Sequence, residues 1–253
     1  MAKDKKSKAP KGRSVEAVAP IAPPSWPPFK PSLPVSDLHA ETLVESKIVV
    51  FRNFWPRNLC RDYVSFLKTL PLVTTPGKPK RGEAVRVNDR FQIDDPSFAQ
   101  RLWLETGLKD AILDSSVSSL WGGDVVGLNP NIRVYRYSKG QYFDCHYDDS
   151  NNLTLSPTTD APPPQQQQQP SSLAAKTTWT LLLYLTSASD GCLGGDTVFY
   201  RRDRPLASEA VAVSPETGML LLHKHGDDCM LHEGREVTAG EKWVLRTDLC
   251  VRR

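Results

Sequence analysis

The sequence predicts a mainly β domain with flanking helices, built as two packed layers, and three observations carry that reading. Short apolar runs bounded by Gly, Pro and Asn recur from Lys47 to the C-terminus. Helical spacing of apolar residues is confined to two stretches, one before Pro71 and one after Asp95. The chain has 253 residues, enough to bury a double-layered core, and its five Cys form no C-x-x-C and no disulfide framework.

Taken in order, residues 1–13 hold six Lys/Arg and one Asp, so the other 240 residues carry 26 basic and 28 acidic side chains. A body that is not basic argues against a dedicated nucleic-acid groove. The basic cluster is read as a solvated tail or a nuclear-import or polyanion-binding segment. Residues 14–34 are rich in Ala and Pro and are expected to be disordered with it, giving a tail over 1–35 and one folded domain over 36–253. Ser36-Asp37 is a candidate helix cap, and Lys47 to Phe51 reads as a buried strand. Pro56 opens a helix that Pro71 stops, with Leu59, Tyr63, Phe66, Leu67 and Leu70 at helical spacing. After a basic loop from Thr74 to Gly82, Ala84 to Phe91 is a strand. Asp95-Pro96 then caps one helix running to about Asp114.

Val125 to Leu128 and Ile132 to Tyr137 are strands, and Ser138-Lys139-Gly140 is expected to close a hairpin into Tyr142 to Asp148. Pattern is lost over a Pro/Gln insertion at 150–176, which a loop tip tolerates at small entropic cost. Strands follow at Thr178 to Leu185, Asp196 to Tyr200 and Met219 to Leu222. His223-Lys224-His225 is expected to leave the last of these for solvent; as a second histidine pair it is a minor rival metal site. In the final strand Lys242, Val244 and Arg246 share one face, and Trp243, Leu245 and Thr247 the other.

The chemistry gathers on a few of these positions. In an extended chain His146 and Asp148 point the same way, about 7 Å apart at the backbone. With His232 they make two imidazoles and one carboxylate, the set that suits non-haem Fe(II). A cation buried on the last strand needs an anion.

These motifs resemble the Fe(II)/2-oxoglutarate dioxygenases of the prolyl 4-hydroxylase-like type. The order matches over residues 45–251: His146-Tyr147-Asp148, then Gly194-Gly195-Asp196-Thr197-Val198-Phe199, then His232 with Lys242 ten residues on. The resemblance implies a double-stranded β-helix, a jelly-roll, cupin-like barrel with helices on one face. It implies Fe(II) on His146, Asp148 and His232, with 2-oxoglutarate and O₂ in the remaining positions and ascorbate as reductant. Lys242 takes the place of the carboxylate-binding Lys, with Arg246 as an alternative bidentate anchor or a surface partner of Asp248. Tyr137, Tyr184 and Thr197 are pocket candidates, Tyr137 equally a core residue. Asn88 and Arg90 are candidates to face substrate or to join a surface ion-pair network. The implied reaction hydroxylates an unactivated C–H bond of a prolyl residue or a small molecule, releasing succinate and CO₂.

Two other classes stay open: a zinc-dependent hydrolase on the same ligands, and a non-catalytic peptide- or small-molecule-binding barrel. No apolar run approaches membrane-spanning length and no secretory signal is read, so an intracellular protein, cytoplasmic or nuclear, is expected.

Overall fold

The computed structural model describes residues 22–75, 84–155 and 172–253. Their strands form two main antiparallel sheets. The ten-stranded sheet runs Ala40–Val44, Ile48–Phe51, Leu220–Lys224, Leu173–Tyr184, Glu241–Arg252, Asn131–Ser138, Asp89–Asp94, Val73–Thr74, with Val125–Leu128 and Asn152–Leu155 joined at its side. The five-stranded sheet runs Ala210–Val213, Thr197–Tyr200, Leu231–Gly234, Tyr142–His146, Arg86–Val87. From Asn131 onward the chain passes back and forth between the two sheets, the topology of a double-stranded β-helix.

Strand alternation sorts the core into two compartments. Trp243 and Leu245 join Trp179, Leu181 and Leu183 on the outer face of the large sheet, where the helices cover them. Val244 faces the other way, into the space between sheets, with Tyr135, Tyr137, Tyr184 and Phe199. Lys242 and Arg246 therefore point into the barrel, as the two-face pattern predicts.

Several expectations are corrected. The Ala40–Val44 segment is a strand, so Ser36-Asp37 caps no helix. Residues 1–21 of the expected tail lie outside the described residues, but within 22–35 Trp26, Phe29 and Leu33 pack against the core. Trp26 is buried, stacks on Phe98 at 4.0 Å and donates its indole N–H to Asp95 Oδ2 at 2.7 Å, while Phe29 lies 5.4 Å from the Trp55 ring. Average composition hides two aromatic anchors that give a Pro-rich segment enough to bury. The helix expected from Pro96 to Asp114 is two, Pro96–Leu104 and Leu108–Leu113. Gly107 separates them at φ +76°, and a Cβ there would stand 2.8 Å from the Pro34 ring, so both the left-handed backbone and the close approach require glycine.

Ser138-Lys139-Gly140 does not close a hairpin. Asn131–Ser138 is already flanked by Glu241–Arg252 and Asp89–Asp94, so the chain crosses to the other sheet and Tyr142–His146 pairs with Leu231–Gly234 and Arg86–Val87. Strand order also reaches into the expected insertion, where Asn152–Leu155 pairs with Leu173 to Lys176. The Gln tract and the basic loop, residues 156–171 and 76–83, lie outside the described residues.

Candidate metal and cosubstrate site

His146 ends its strand directly opposite His232 on the neighbouring one, and the two rings lie 4.2 Å apart. Asp148 follows just past the strand end. Its Oδ1 is 3.8 Å from His146 Nε2 and its Oδ2 is 3.9 Å from His232 Nε2. The Nδ1 atoms of His146 and His232 lie 2.8 and 2.9 Å from the carbonyl oxygens of Asp144 and Met230. A carbonyl only accepts, so each Nδ1 carries the hydrogen and each Nε2 keeps a lone pair for the centre. Burial, reinforced by neighbouring His232, brings the His146 pKa down to about 3, and burial likewise lowers His232. Burial would raise Asp148, but Arg246 above all, with His223, His232 and His146, holds it well below the usual carboxylate range. Two neutral nitrogens and one carboxylate thus converge with ligand atoms within 4.8 Å of one another. That donor set fits Fe(II) with positions left open.

A row of donors aims Asp148. Thr180 Oγ1 donates to Oδ2 at 2.9 Å, and Arg246 reaches the same oxygen at 2.9 Å and Oδ1 at 3.3 Å. Because Thr180 has one hydrogen, His225 Nδ1, 2.9 Å away, donates to it. His225 Nε2 then accepts from Thr177 Oγ1 at 2.9 Å, which accepts the Asn151 N–H at 2.9 Å.

The expectation that His223 and His225 enter solvent is overturned, since both are buried. His225 is committed to this hydrogen-bond chain. His223 is 2% exposed; its Nε2 has no hydrogen-bond partner among the described residues and lies 3.6 Å from Asp148 Oδ2. The carboxylate missing from its sequence neighbourhood arrives from the segment just past the Tyr142–His146 strand.

Deeper in the barrel, Lys242 Nζ donates to the Gly195 carbonyl at 2.5 Å and lies 3.5 Å from Thr197 Oγ1. Tyr184 donates to or accepts from that same Thr197 hydroxyl at 2.7 Å, and the Tyr184 and Tyr137 rings stand 5.3 and 5.7 Å from the ammonium. Gly195, at φ +75°, allows this approach, because a Cβ would press on Lys242 Cδ at 3.1 Å. No carboxylate pairs with Lys242 among the described residues, and burial pushes its pKa down to about 8.

Tyr137, Tyr184, Thr197 and Lys242 are thus brought together beneath the three candidate ligands. Arg246 lines the same cavity, but its guanidinium is already engaged. It is buried and pairs with Asp148, with Asp248 at 3.6 Å, so its pairing is not at the surface. Asn88 is fully buried against Thr75. Arg90 instead lines an open recess beside Asp148, together with Arg86 and Arg133. Neither of these last two is singled out by the sequence, although Arg86 and Arg90 stand at even spacing on consecutive extended segments.

The profile of the 2OG-Fe(II) oxygenase superfamily matches residues 132–247, a span that holds His146, Asp148, His232, Lys242 and Arg246. Among solved structures, a 2OG-Fe(II) oxygenase family oxidoreductase from Burkholderia pseudomallei is similar with TM-score 0.52 at 13% identity, over 83% of this chain and 89% of that one. A Pseudomonas putida prolyl-4-hydroxylase gives 0.50 at 15%, over 82% and 93%. HygX from Streptomyces hygroscopicus, bound to nickel, 2-oxoglutarate and hygromycin B, gives 0.50 at 16%, over 81% and 83%. At such identities the likeness is one of fold. No curated protein matches the chain.

Proposed function

Because residues 132–247 match the 2OG-Fe(II) oxygenase superfamily, we propose that the chain is a 2-oxoglutarate-dependent dioxygenase that hydroxylates an unactivated C–H bond using His146, Asp148 and His232 as iron ligands. The observation that carries the cosubstrate assignment is Lys242, a buried cation with no carboxylate partner among the described residues, in a cavity that the three candidate ligands also line. A buried ammonium is costly unless a negative group meets it. The distal carboxylate of 2-oxoglutarate supplies that group, and Thr197 and Tyr184 offer hydroxyls to its second oxygen.

When bound, iron supplies the activation of O₂ that couples conversion of 2-oxoglutarate to succinate and CO₂ with insertion of one oxygen atom into the substrate C–H bond. The remaining work belongs to the chain. The carbonyls of Asp144 and Met230 hold the two imidazole tautomers. Arg246 and Thr180 fix the Asp148 carboxylate in angle and charge. Tyr137, Tyr184 and Phe199 keep the cosubstrate end of the barrel apolar and dry. Ascorbate is the proposed reductant, and a prolyl side chain or a small molecule the substrate. Among the described residues no helix is long and apolar enough to cross a membrane.

A zinc hydrolase on the same ligands gives Lys242 no task, and a non-catalytic barrel gives none to three converging ligands. The test is succinate formation from 2-oxoglutarate by protein loaded anaerobically with Fe(II) and then exposed to O₂. O₂-dependent succinate that disappears in His146→Ala supports the assignment. Absence of succinate, with hydrolysis supported by Zn(II), overturns it.

A further inference from the structure

We propose that the substrate is a small molecule carrying a carboxylate or phosphate group, which Arg86 and Arg90 grip in the recess beside Asp148. This rests on the hydroxylase reading above and names the substrate class of that site. The recess has a volume of about 490 Å³, a size that suits a small organic molecule. Four guanidinium groups line it, from Arg86, Arg90, Arg133 and Arg246, with amides from Asn131 and Asn151 among its other walls.

Register explains why the arginines meet. On the large sheet Arg246 stands opposite Arg133, which stands opposite Gln92, while Arg90 stands opposite Tyr135. Like charges directly across a ladder repel, so such a row persists only with anions beside it. Two of the four have them: Arg246 pairs with Asp148, and Arg133 with buried Asp248. Arg86 and Arg90 pair with no carboxylate among the described residues. Arg90 reaches the Gln92 amide, and the Arg86 guanidinium lies 3.7 Å over the Phe143 ring. The acidic groups on the wall are Asp148, already committed, and exposed Asp149.

The placement also suits catalysis. Phe143 lies between Arg86 and His146, its ring stacked on the imidazole at 3.5 Å. An anion on Arg86 and Arg90 therefore leaves the carbon skeleton of a small molecule over the ligand cluster. The field of the four arginines registers on Tyr135 between them: burial would raise its pKa, yet Arg246, Arg86, Arg133 and Arg90 together hold it below the ordinary value. Planar guanidinium pairs are the usual means of orienting carboxylate and phosphate.

The experiment uses Fe(II)-loaded enzyme with saturating 2-oxoglutarate and a panel of matched small molecules. Each carboxylic acid is set beside its amide, each phosphate ester beside its alcohol, and each zwitterion beside its cationic ester. Stimulated succinate formation and a product heavier by one oxygen atom are read by mass spectrometry. The expected result is turnover of the anion-bearing members only, with the carboxylic-acid and phosphate-ester arms showing which anion is used. Apparent affinity should fall as salt is raised. Arg86→Met and Arg90→Met should each raise KM for the active anion roughly ten- to a hundredfold, with kcat changed far less. Preference for the neutral or cationic partners, or turnover of peptides alone, overturns the proposal while leaving the hydroxylase reading intact. Failure to form succinate from 2-oxoglutarate under any condition would strike that earlier reading instead. The panel on the unaltered enzyme decides the matter even where an arginine variant fails to fold.

Discussion

Replacing Lys242 by Met separates the cost of a buried cation from its use. Lys242 Nζ has one carbonyl and one distant hydroxyl for company, and burial takes its pKa from 10.5 to about 8. Such a displacement costs the charged form roughly 3 kcal/mol, at about 1.4 kcal/mol per pH unit. Lys242→Met removes that charge and keeps most of the volume, but it leaves the Gly195 carbonyl unpaired, worth about 1–3 kcal/mol. The cofactor-free protein should therefore be as stable as the parent or up to about 2 kcal/mol more stable. Binding of 2-oxoglutarate should move the other way. Breaking a buried pair from one side costs about 3–5 kcal/mol, so Kd should rise at least about a hundredfold at 1.4 kcal/mol per decade. Thermal unfolding with and without 2-oxoglutarate, and calorimetric titration with Mn(II) in the metal site, read both effects. The pH dependence gives a further check. Between about 8 and 10.5 the unfolded chain holds the Lys242 proton that the folded one has lost, so this residue makes stability rise with pH in that window. Affinity for 2-oxoglutarate should be level below about pH 8 and fall above it, because the ammonium is the binding form. Lys242→Met should lose both slopes. A variant that binds 2-oxoglutarate within fivefold of the parent, or a greater loss in Arg246→Met, would refute the assignment.

His146→Ala and Asp148→Ala should both abolish Fe(II) retention in equilibrium dialysis, yet differ in stability. His146→Ala removes a largely buried ring and should cost about 1–2 kcal/mol, whereas Asp148→Ala strands buried Arg246 and should cost about 3–5 kcal/mol by denaturant titration. Trp26→Ala removes a stacked, hydrogen-bonded indole and should destabilise by about 3–5 kcal/mol, measured by the same titration. Gly107→Ala places a Cβ in a left-handed residue and against Pro34, for a loss of about 1–3 kcal/mol with 2-oxoglutarate affinity unchanged.

What the sequence shows well is whatever depends on alternation and local punctuation. The two faces of Glu241–Arg252 follow from a period of two, and the cap at Asp95 from side-chain chemistry, with Phe98 N–H bound to its carboxylate at 2.9 Å. The candidate triad of His146, Asp148 and His232 stands out in the sequence because its members lie in short recognisable motifs, and the structure brings the three side chains together. What depends on pairing between distant strands is not legible. Nothing near His223 in the chain announces that Asp148 will lie beside it, and nothing near Arg86 announces Arg133 and Arg246. The hairpin expected at Ser138-Lys139-Gly140 fails for the same reason: its turn residues are right, but the edge of Asn131–Ser138 is taken by the C-terminal strand. The Trp26 anchor was hidden by averaging over a Pro-rich window.

Charge balance within the barrel carries one more consequence. Before any ligand binds, buried Lys242 and Arg246, with Arg133, stand against the carboxylates of Asp148 and Asp248, an excess of one positive charge among these groups. A divalent metal on Asp148 raises that excess by two, in a region where burial has already lowered the pKa of Lys242. The dianion 2-oxoglutarate offsets this increment, so metal and cosubstrate should bind with positive coupling, each tightening the other equally by linkage. The excess then left in the barrel, together with Arg86 and Arg90 at its mouth, is the one an anionic substrate would meet. Titrating 2-oxoglutarate into metal-free and Mn(II)-loaded protein measures the first coupling. An affinity that is the same in both, to within a factor of two, would show that the two charges do not sense each other and that Lys242 alone sets the cosubstrate's binding.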